Sequence, residues 1–194
     1  MQDIEPFFKW RDQYMAEEDP RSPFYKRQYN EFEFTNTIYN YYIHPQWDDF
    51  ESSTLYLKIL FVDYVEQFAV IEFIGEWNDA IQNDIMYLKR NVIEKLISHD
   101  IKFYILILDN VYNFHSSDDC YYEEWLEDLS EEGGWITMLG VMEHLEEEMV
   151  SAGLQYYIHF GSAFNAIEWR RLDPAILFAT VEKSMKRQTK RLRN

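Results

Sequence analysis

The polar segment 109–119, which reads Asp-Asn-Val-Tyr-Asn-Phe-His-Ser-Ser-Asp-Asp, holds the residues with the widest range of chemistry. Asp109, His115 and Ser116 are of the types that serve as orienting acid, base and nucleophile in hydrolases. Their spacing does not fix their arrangement in space, and the Gly-x-Ser-x-Gly turn of α/β hydrolases does not occur. The segment is therefore a candidate active site of a small hydrolase, without a diagnostic motif.

A structural interpretation of the same segment is favoured. Ser116 or Ser117 can cap the helix that follows, and Asp118 and Asp119 can stabilise its positive end. In open α/β sheets, however, ligands bind beyond the carboxyl ends of strands, and this segment follows a strongly apolar stretch. The candidate functional loop, as a ligand or modification site, comprises Asp109, Asn110, His115, Ser116, Ser117, Asp118 and Asp119.

Cofactors and metals are not indicated. Side chains that can bind a metal occur nearby, but none has a diagnostic spacing: His115, Asp118, Asp119, Glu123, Glu143 and His144. Glycine-rich phosphate-binding motifs are absent from the sequence, so we expect no nucleotide cofactor. Cys120 is the only cysteine, and its acidic neighbours disfavour the thiolate.

The charge is strongly acidic and unevenly distributed. The formal net charge is −17, and no Lys or Arg occurs from Phe103 to Trp169. Six of the 18 basic residues lie in the last twelve positions. We expect them to form the C-terminal end of a helix, where cations complement the helix dipole. An acidic body repels phosphate backbones, so nucleic-acid binding is disfavoured. No apolar stretch is long enough to cross a bilayer, no signal peptide is recognisable, and the lone cysteine fits a reducing compartment, so we expect a cytoplasmic protein.

Hydrophobic periodicity predicts elements that alternate between strand and helix. An amphipathic N-terminal helix runs through Ile4, Phe7, Trp10 and Tyr14. The strands are predicted at Thr35–Ile43, Thr54–Asp63, Phe68–Gly75, Lys102–Leu108, Trp135–Val141 and Gln155–Phe160. The later helices are predicted at about 79–98 with Asn78 or Asp79 as cap, at 119–129, up to Ser151, and from Pro174.

Part of this pattern resembles the STAS domain of anti-sigma-factor antagonists. The resemblance covers Phe68 to Phe160: Gly75-Glu76-Trp77-Asn78 ends one strand, Leu108-Asp109-Asn110-Val111 ends the next, and Ser116-Ser117 opens a helix. In that family a serine at this turn is phosphorylated by a partner kinase, which would make Ser116 or Ser117 a phosphoacceptor. The sequence departs from the family in three ways. The spacing from Asp109 to the serine pair is shorter, His115 stands where the family has an Asp, and Asp118 stands where it has a Gly. The whole chain also resembles an uncharacterised bacterial protein family, which implies no activity.

These observations predict a single mixed α/β domain over 1–194. It comprises an N-terminal helix and edge extension (1–53), an α/β core (54–160) with a hairpin and βαβ units, and a C-terminal helix with a basic tail (161–194). The leading hypothesis is a non-enzymatic regulatory or protein-interaction domain that uses the acidic 109–132 region. The expected partner is a protein, for which a basic surface is the best match, or a second copy of the chain.

Overall fold

The computed structural model describes residues 4–30, 32–130 and 133–192, with only the backbone for 188–192. Along these residues lie six strands and seven α-helices: β1 (Thr37–Ile38), β2 (Tyr41–Tyr42), β3 (Leu55–Asp63), β4 (Phe68–Asn78), α1 (Asp79–Gln82), α2 (Asp84–Leu88), α3 (Glu94–Ile97), β5 (Phe103–His115), α4 (Cys120–Ser130), β6 (Trp135–Leu139), α5 (Glu143–Ser151), α6 (Ser162–Asn165) and α7 (Pro174–Leu192). A π-helical turn spans Lys89–Ile93, and 3-10 turns span Leu154–Tyr156 and Trp169–Arg171.

A four-stranded mixed sheet forms the centre of the fold, in the order β3-β4-β5-β6. β3 and β4 are an antiparallel hairpin, whereas β4, β5 and β6 are parallel to one another. The predicted mixed α/β architecture, with its hairpin and helical connections, is confirmed.

Helices and loops cover both faces of this sheet. On one face, α2, α4 and α5 bury side chains such as Leu88, Trp125 and Leu145 against the strands. On the other face, α7 and the N-terminal segment pack on a second cluster that includes Trp10 and Leu177. A core on both faces explains why β4 and β5 are nearly continuous in apolar residues.

The predicted N-terminal helix is wrong, because residues 4–18 form turns and extended chain. Their apolar side chains do not serve one helical stripe. Ile4 packs with the small cluster beside β1 and β2, Trp10 with the α7 face, and Tyr14 with the opposite face. Backbone and side-chain hydrogen bonds to distant residues hold the segment, including Trp47 Nε1 to the Ile4 carbonyl at 2.7 Å.

The segment predicted as a loop after residue 108 is largely strand, because β5 continues to His115. The register of β4 and β5 shifts twice, between Glu72 and Ile74 and between Gly75 and Glu76. Each shift inserts an extra β5 residue, as in a β-bulge, which lets the strand continue through polar sequence. Only residues 116–119 connect β5 to α4.

Three further predictions need correction. The strand expected at Thr35–Ile43 is the short hairpin of β1 and β2. The helix expected over 79–98 is interrupted at Asn83, which has a left-handed backbone (φ 56°), and again by the π-helical turn. The strand expected at Gln155–Phe160 is a 3-10 turn followed by a single bridge from His159 to Thr137. The helices α4, α5 and α7 and the strand β6 lie within about two residues of their predicted positions.

Candidate functional site

Asp109 faces the α7 side of the sheet and is held by groups from the 3-10 turn before α7. The Nε1–H of Trp169 donates to Asp109 Oδ2 at 3.0 Å, and Arg170 Nη2 lies 3.2 Å from the same oxygen. Gly140 approaches so closely that a Cβ there would lie 1.8 Å from Asp109 Oδ1. These contacts fix the carboxylate within the fold.

Glu72 of β4 lies beside this carboxylate and was not predicted as a site residue. Its side chain is fully buried, accepts the Phe7 N–H at 2.7 Å, and lies 3.0 Å from Arg170 Nη2. Burial raises the pKa of Glu72 to about 7, against the lowering effect of the Phe7 and Arg170 contacts, and the charge of Asp109 adds to the rise. The sequence signal for this residue is a single acid inside the apolar run FAVIEFIG.

The three side chains of the hydrolase hypothesis are not brought together. His115 is six residues beyond Asp109 on the same strand, a separation of about 20 Å at the rise of a strand. Ser116 follows His115 in the exposed connection, whereas Asp109 is bound to Trp169 and Arg170. A Ser-His-Asp arrangement therefore does not form in this structure.

The remaining loop residues follow Asp109, Asn110 within β5 and the others at its end and in the connection to α4. Asn110 is half-buried and opposite Ile74, and Ser116 and Ser117 are exposed. The carbonyl of Asp119 accepts from the Glu123 backbone N–H, and Asp118 accepts from the Cys120 N–H at 3.3 Å. The aspartates, and not the serines, are the observed partners of the first turn of α4.

Cys120 opens α4 and is exposed. Its pKa is raised, first by a hydrogen bond to Asp118 and also by the charges of Asp118 and Asp119. The thiol form is therefore favoured, which agrees with the prediction that this residue is a poor nucleophile.

Part of the acidic surface of α4 is neutralised within the domain. The buried Lys89 places its Nζ 2.7 Å from Asp128 and 3.3 Å from Glu124, and Arg90 lies 2.7 Å from Glu124. The region 109–132 thus offers fewer free acids than the sequence indicates, and residues 131 and 132 lie outside the described chain.

An acidic groove lies between α5 and α6, at the carboxyl end of β6. It has a volume of about 590 Å³ and is lined by Val141, Glu143, Glu146, Glu147, Val150, Ser162 and Asn165. We refer to these seven residues as the α5 groove. The sequence indicates Glu143 only as a candidate metal ligand and does not reveal the groove, because the groove depends on where α6 returns to β6.

Two contacts build the α5 groove. The Asn165 side chain accepts the Val141 N–H at 3.0 Å and donates to the Val141 carbonyl at 2.9 Å, which joins α6 to the end of β6. His144 Nε2 lies 2.8 Å from the Tyr112 carbonyl oxygen and joins the first turn of α5 to β5. None of Glu143, Glu146 and Glu147 forms an ion pair with a cation among the described residues.

A second buried carboxylate lies where β4 passes into α1. Asp79 accepts from the Tyr122 hydroxyl at 2.6 Å, from Trp77 Nε1 at 3.0 Å and from the Ile85 N–H at 2.8 Å. Burial, with the charge of Asp84, raises the pKa of Asp79 to about 6 although these hydrogen bonds lower it. Its oxygens are bound by the fold, which indicates a structural role.

The described part of the chain contains no group of three or more His, Cys, Asp or Glu side chains placed to hold a metal ion. His115, Asp118, Asp119, Glu123, Glu143 and His144, the candidate ligands in the sequence, are not gathered at one point. In the same residues, no helix has the length and apolar character that a membrane crossing requires.

Comparison with known proteins gives structural similarity without a family match. No family model matches the sequence, and no curated protein matches it. The chain is similar to the structure of the anti-sigma factor antagonist SpoIIAA in its unphosphorylated form, with 14% identity over 59% of this chain and 96% of that one, at a TM-score of 0.44. It is also similar to the Bacillus cell fate determinant SpoIIAA in the phosphorylated form, with 14% identity over 59% and 99% of the two chains, at a TM-score of 0.40. Likeness at this level assigns neither a family nor an activity to this chain.

Proposed function

We propose that the chain is a non-enzymatic protein-interaction domain whose α5 groove binds a basic segment of a protein partner. The observation that carries this proposal is the groove itself, whose lining combines the carboxylates of Glu143, Glu146 and Glu147 with the aliphatic side chains of Val141 and Val150. Lys and Arg side chains suit such a surface, because their methylene stems pack on apolar groups while their charged ends stay at the rim.

Electrostatics also favours a basic partner. Carboxylates without a cation of their own form charge-assisted hydrogen bonds with Lys or Arg. The acidic field of a domain with a net charge of −17 would speed the approach of a basic segment and repel nucleic acid. A small hydrolase is the weaker proposal, because Asp109, His115 and Ser116 do not form a catalytic arrangement.

The exposed pair Ser116 and Ser117 is proposed as a modification site that regulates binding. Both serines lie in the short connection between β5 and α4, where an enzyme can reach them. Phosphorylation would add roughly −1.5 to −2 charges beside Asp118 and Asp119. The added charge would strengthen the attraction of a basic segment to this end of the domain.

Binding to the groove can be measured by fluorescence anisotropy with a labelled ten-residue peptide of alternating lysine and alanine. The test variant is Glu143→Gln/Glu146→Gln/Glu147→Gln. A matched control, Glu123→Gln/Glu127→Gln/Glu148→Gln, removes the same charge from exposed positions outside the groove.

We expect the groove variant to bind about tenfold more weakly than wild type, since three ion pairs of about 0.5 kcal/mol each are lost. The control variant should stay within about twofold of wild type. Equal affinities of the two variants would refute the groove as the binding site.

A further inference from the structure

The C-terminal helix α7 carries the charge that the α5 groove lacks. Its apolar side chains Leu177, Phe178, Val181 and Met185 pack on the sheet. Lys183, Lys186 and Arg187 are exposed, and Lys190 follows them in the sequence at a spacing typical of one helix face. No acidic residue follows Glu182.

The helical backbone of α7 continues well beyond Met185. Among the α7 side chains that the structure describes, up to Arg187, Met185 is the last buried one, and the helical backbone continues to Leu192. At the rise of an α-helix these seven residues cover roughly 10 Å. Among the described cations of this end, Lys186 contacts Glu182 at 2.8 Å, an exposed pair that leaves the other charges unmatched.

The α5 groove and Phe178 of α7 lie at opposite ends of the sheet. Val141 and Asn165 lie beyond the carboxyl end of β6. Phe178, in the second turn of α7, already stacks on Phe68 and Trp135, which are the first residues of β4 and β6. Among the residues whose side chains the structure describes, no cation of α7 forms an ion pair with Glu143, Glu146 or Glu147 of its own chain.

We propose that the basic end of α7 of one copy docks in the α5 groove of a second copy, head to tail. The inference rests on the proposed function, because it names the basic segment that the groove accepts. It follows from charge complementarity between two surfaces that form no ion pair with each other within the described part of one chain. A contact between unlike surfaces leads to a ring if the rotation closes and to an open chain of copies if it does not.

The test is the oligomeric state of the full chain, measured by sedimentation velocity in 50 mM and 500 mM salt. Wild type should associate with rising concentration in low salt, with an apparent association constant at least tenfold lower in high salt, because exposed ion pairs are screened. The groove-reversed variant Glu143→Lys/Glu146→Lys/Glu147→Lys and the helix-reversed variant Lys183→Glu/Lys186→Glu/Arg187→Glu should each be monomeric.

An equimolar mixture of the two reversed variants is the decisive experiment. In the mixture each reversed groove again meets a helix of opposite charge, so association should return. Thermal unfolding verifies that both reversed variants are folded. If one of them is not, the corresponding Gln variant replaces it, and that variant should associate about tenfold more weakly than wild type.

The two proposals fail separately in this design. A wild-type chain that stays monomeric in low salt but binds the lysine–alanine peptide would overturn the head-to-tail contact and leave the groove as a binding site for another basic protein. A mixture that does not associate would overturn it as well. A wild-type chain that neither binds the peptide nor associates with itself would overturn the proposed function.

Discussion

Glu72 and Asp109 share one cation, since Arg170 Nη2 lies 3.0 Å from Glu72 Oε1 and 3.2 Å from Asp109 Oδ2. The two carboxylates lie on neighbouring parallel strands, one fully buried and the other partly exposed. A single guanidinium that is itself 44% exposed does not compensate two negative charges at a buried site. This shared contact joins β4, β5, the N-terminal segment and the turn before α7.

The stability of the domain should therefore depend on pH through Glu72. The pKa of Glu72 is raised to about 7 in the folded protein, from an ordinary value near 4.5. The contribution of Glu72 to the free energy of unfolding is fully present below pH 4.5 and is lost as the pH rises to about 7. It is lost because the carboxyl ionises at a lower pH in the unfolded chain than in the folded protein. Glu72→Gln should lie within about 0.5 kcal/mol of wild type at pH 4.5 and exceed it by about 3 kcal/mol at pH 8.

Urea unfolding of wild type and Glu72→Gln between pH 4.5 and 8 measures this difference. Glu66→Gln, in the exposed turn between β3 and β4, is the control and should keep the wild-type pH profile. Parallel profiles for Glu72→Gln and wild type would contradict the assignment.

Gly140→Ala should destabilise the fold by displacing Asp109. Gly140 has φ +70°, and a Cβ there would lie 1.8 Å from Asp109 Oδ1, which Trp169 and Arg170 hold in place. Gly153→Ala is a matched control, since Gly153 has φ +80° but nothing closer than 3.7 Å to the added Cβ. Both substitutions strain the backbone, and Gly140→Ala should cost about 1–3 kcal/mol more in the free energy of unfolding. Equal losses would show that the Asp109 contacts are dispensable.

Tyr122→Phe should leave the buried carboxylate of Asp79 without one of its hydrogen bonds. The expected loss in the free energy of unfolding is about 1–3 kcal/mol, because a buried charged acceptor is left partly unsatisfied. Tyr157→Phe removes a similar bond, at 2.7 Å, to the half-buried Asp119 and should cost less. Guanidinium unfolding of both variants measures the comparison. A smaller loss for Tyr122→Phe than for Tyr157→Phe would argue against a structural role for Asp79.

Phosphorylation of Ser116 or Ser117 should increase the affinity for a basic peptide. Chemically homogeneous phosphoprotein, prepared by incorporation of phosphoserine at one position, should bind the lysine–alanine peptide several-fold more tightly at 50 mM salt, and the difference should shrink at 500 mM. Phosphoserine placed at Ser53, exposed near the start of β3, controls for net charge. An equal effect at both positions would show that the serine pair has no special location.

The sequence predicts the elements that have a regular apolar pattern, whether continuous over a strand or periodic along a helix. The β3–β4 hairpin, the core of β5 and the helices α4, α5 and α7 are of this kind. The N-terminal segment could not be predicted because Ile4, Trp10 and Tyr14 pack into three different clusters. The polar half of β5 has the sequence of a loop, because the two register shifts that let the strand continue leave no mark on hydrophobic periodicity.

The candidate site was only partly accessible to sequence reasoning. Local spacing cannot show that Arg170 lies between Glu72 and Asp109, which are 98 and 61 residues away. A signal was nevertheless present, since Glu72 is a lone acid in an apolar strand and Arg170 is the first cation after a long stretch without any. The α5 groove left no comparable signal, because acids on a helix face are usually solvated.

Amide chemical-shift mapping shows residue by residue whether the α5 groove binds basic protein segments. In a titration of the ¹⁵N-labelled protein with the lysine–alanine peptide, we predict that the largest shifts lie at Val141–Val150 and at Ser162–Asn165, and that they vanish in the Glu143→Gln/Glu146→Gln/Glu147→Gln variant. Shifts spread evenly over the exposed acids, or centred on α4, would contradict the account.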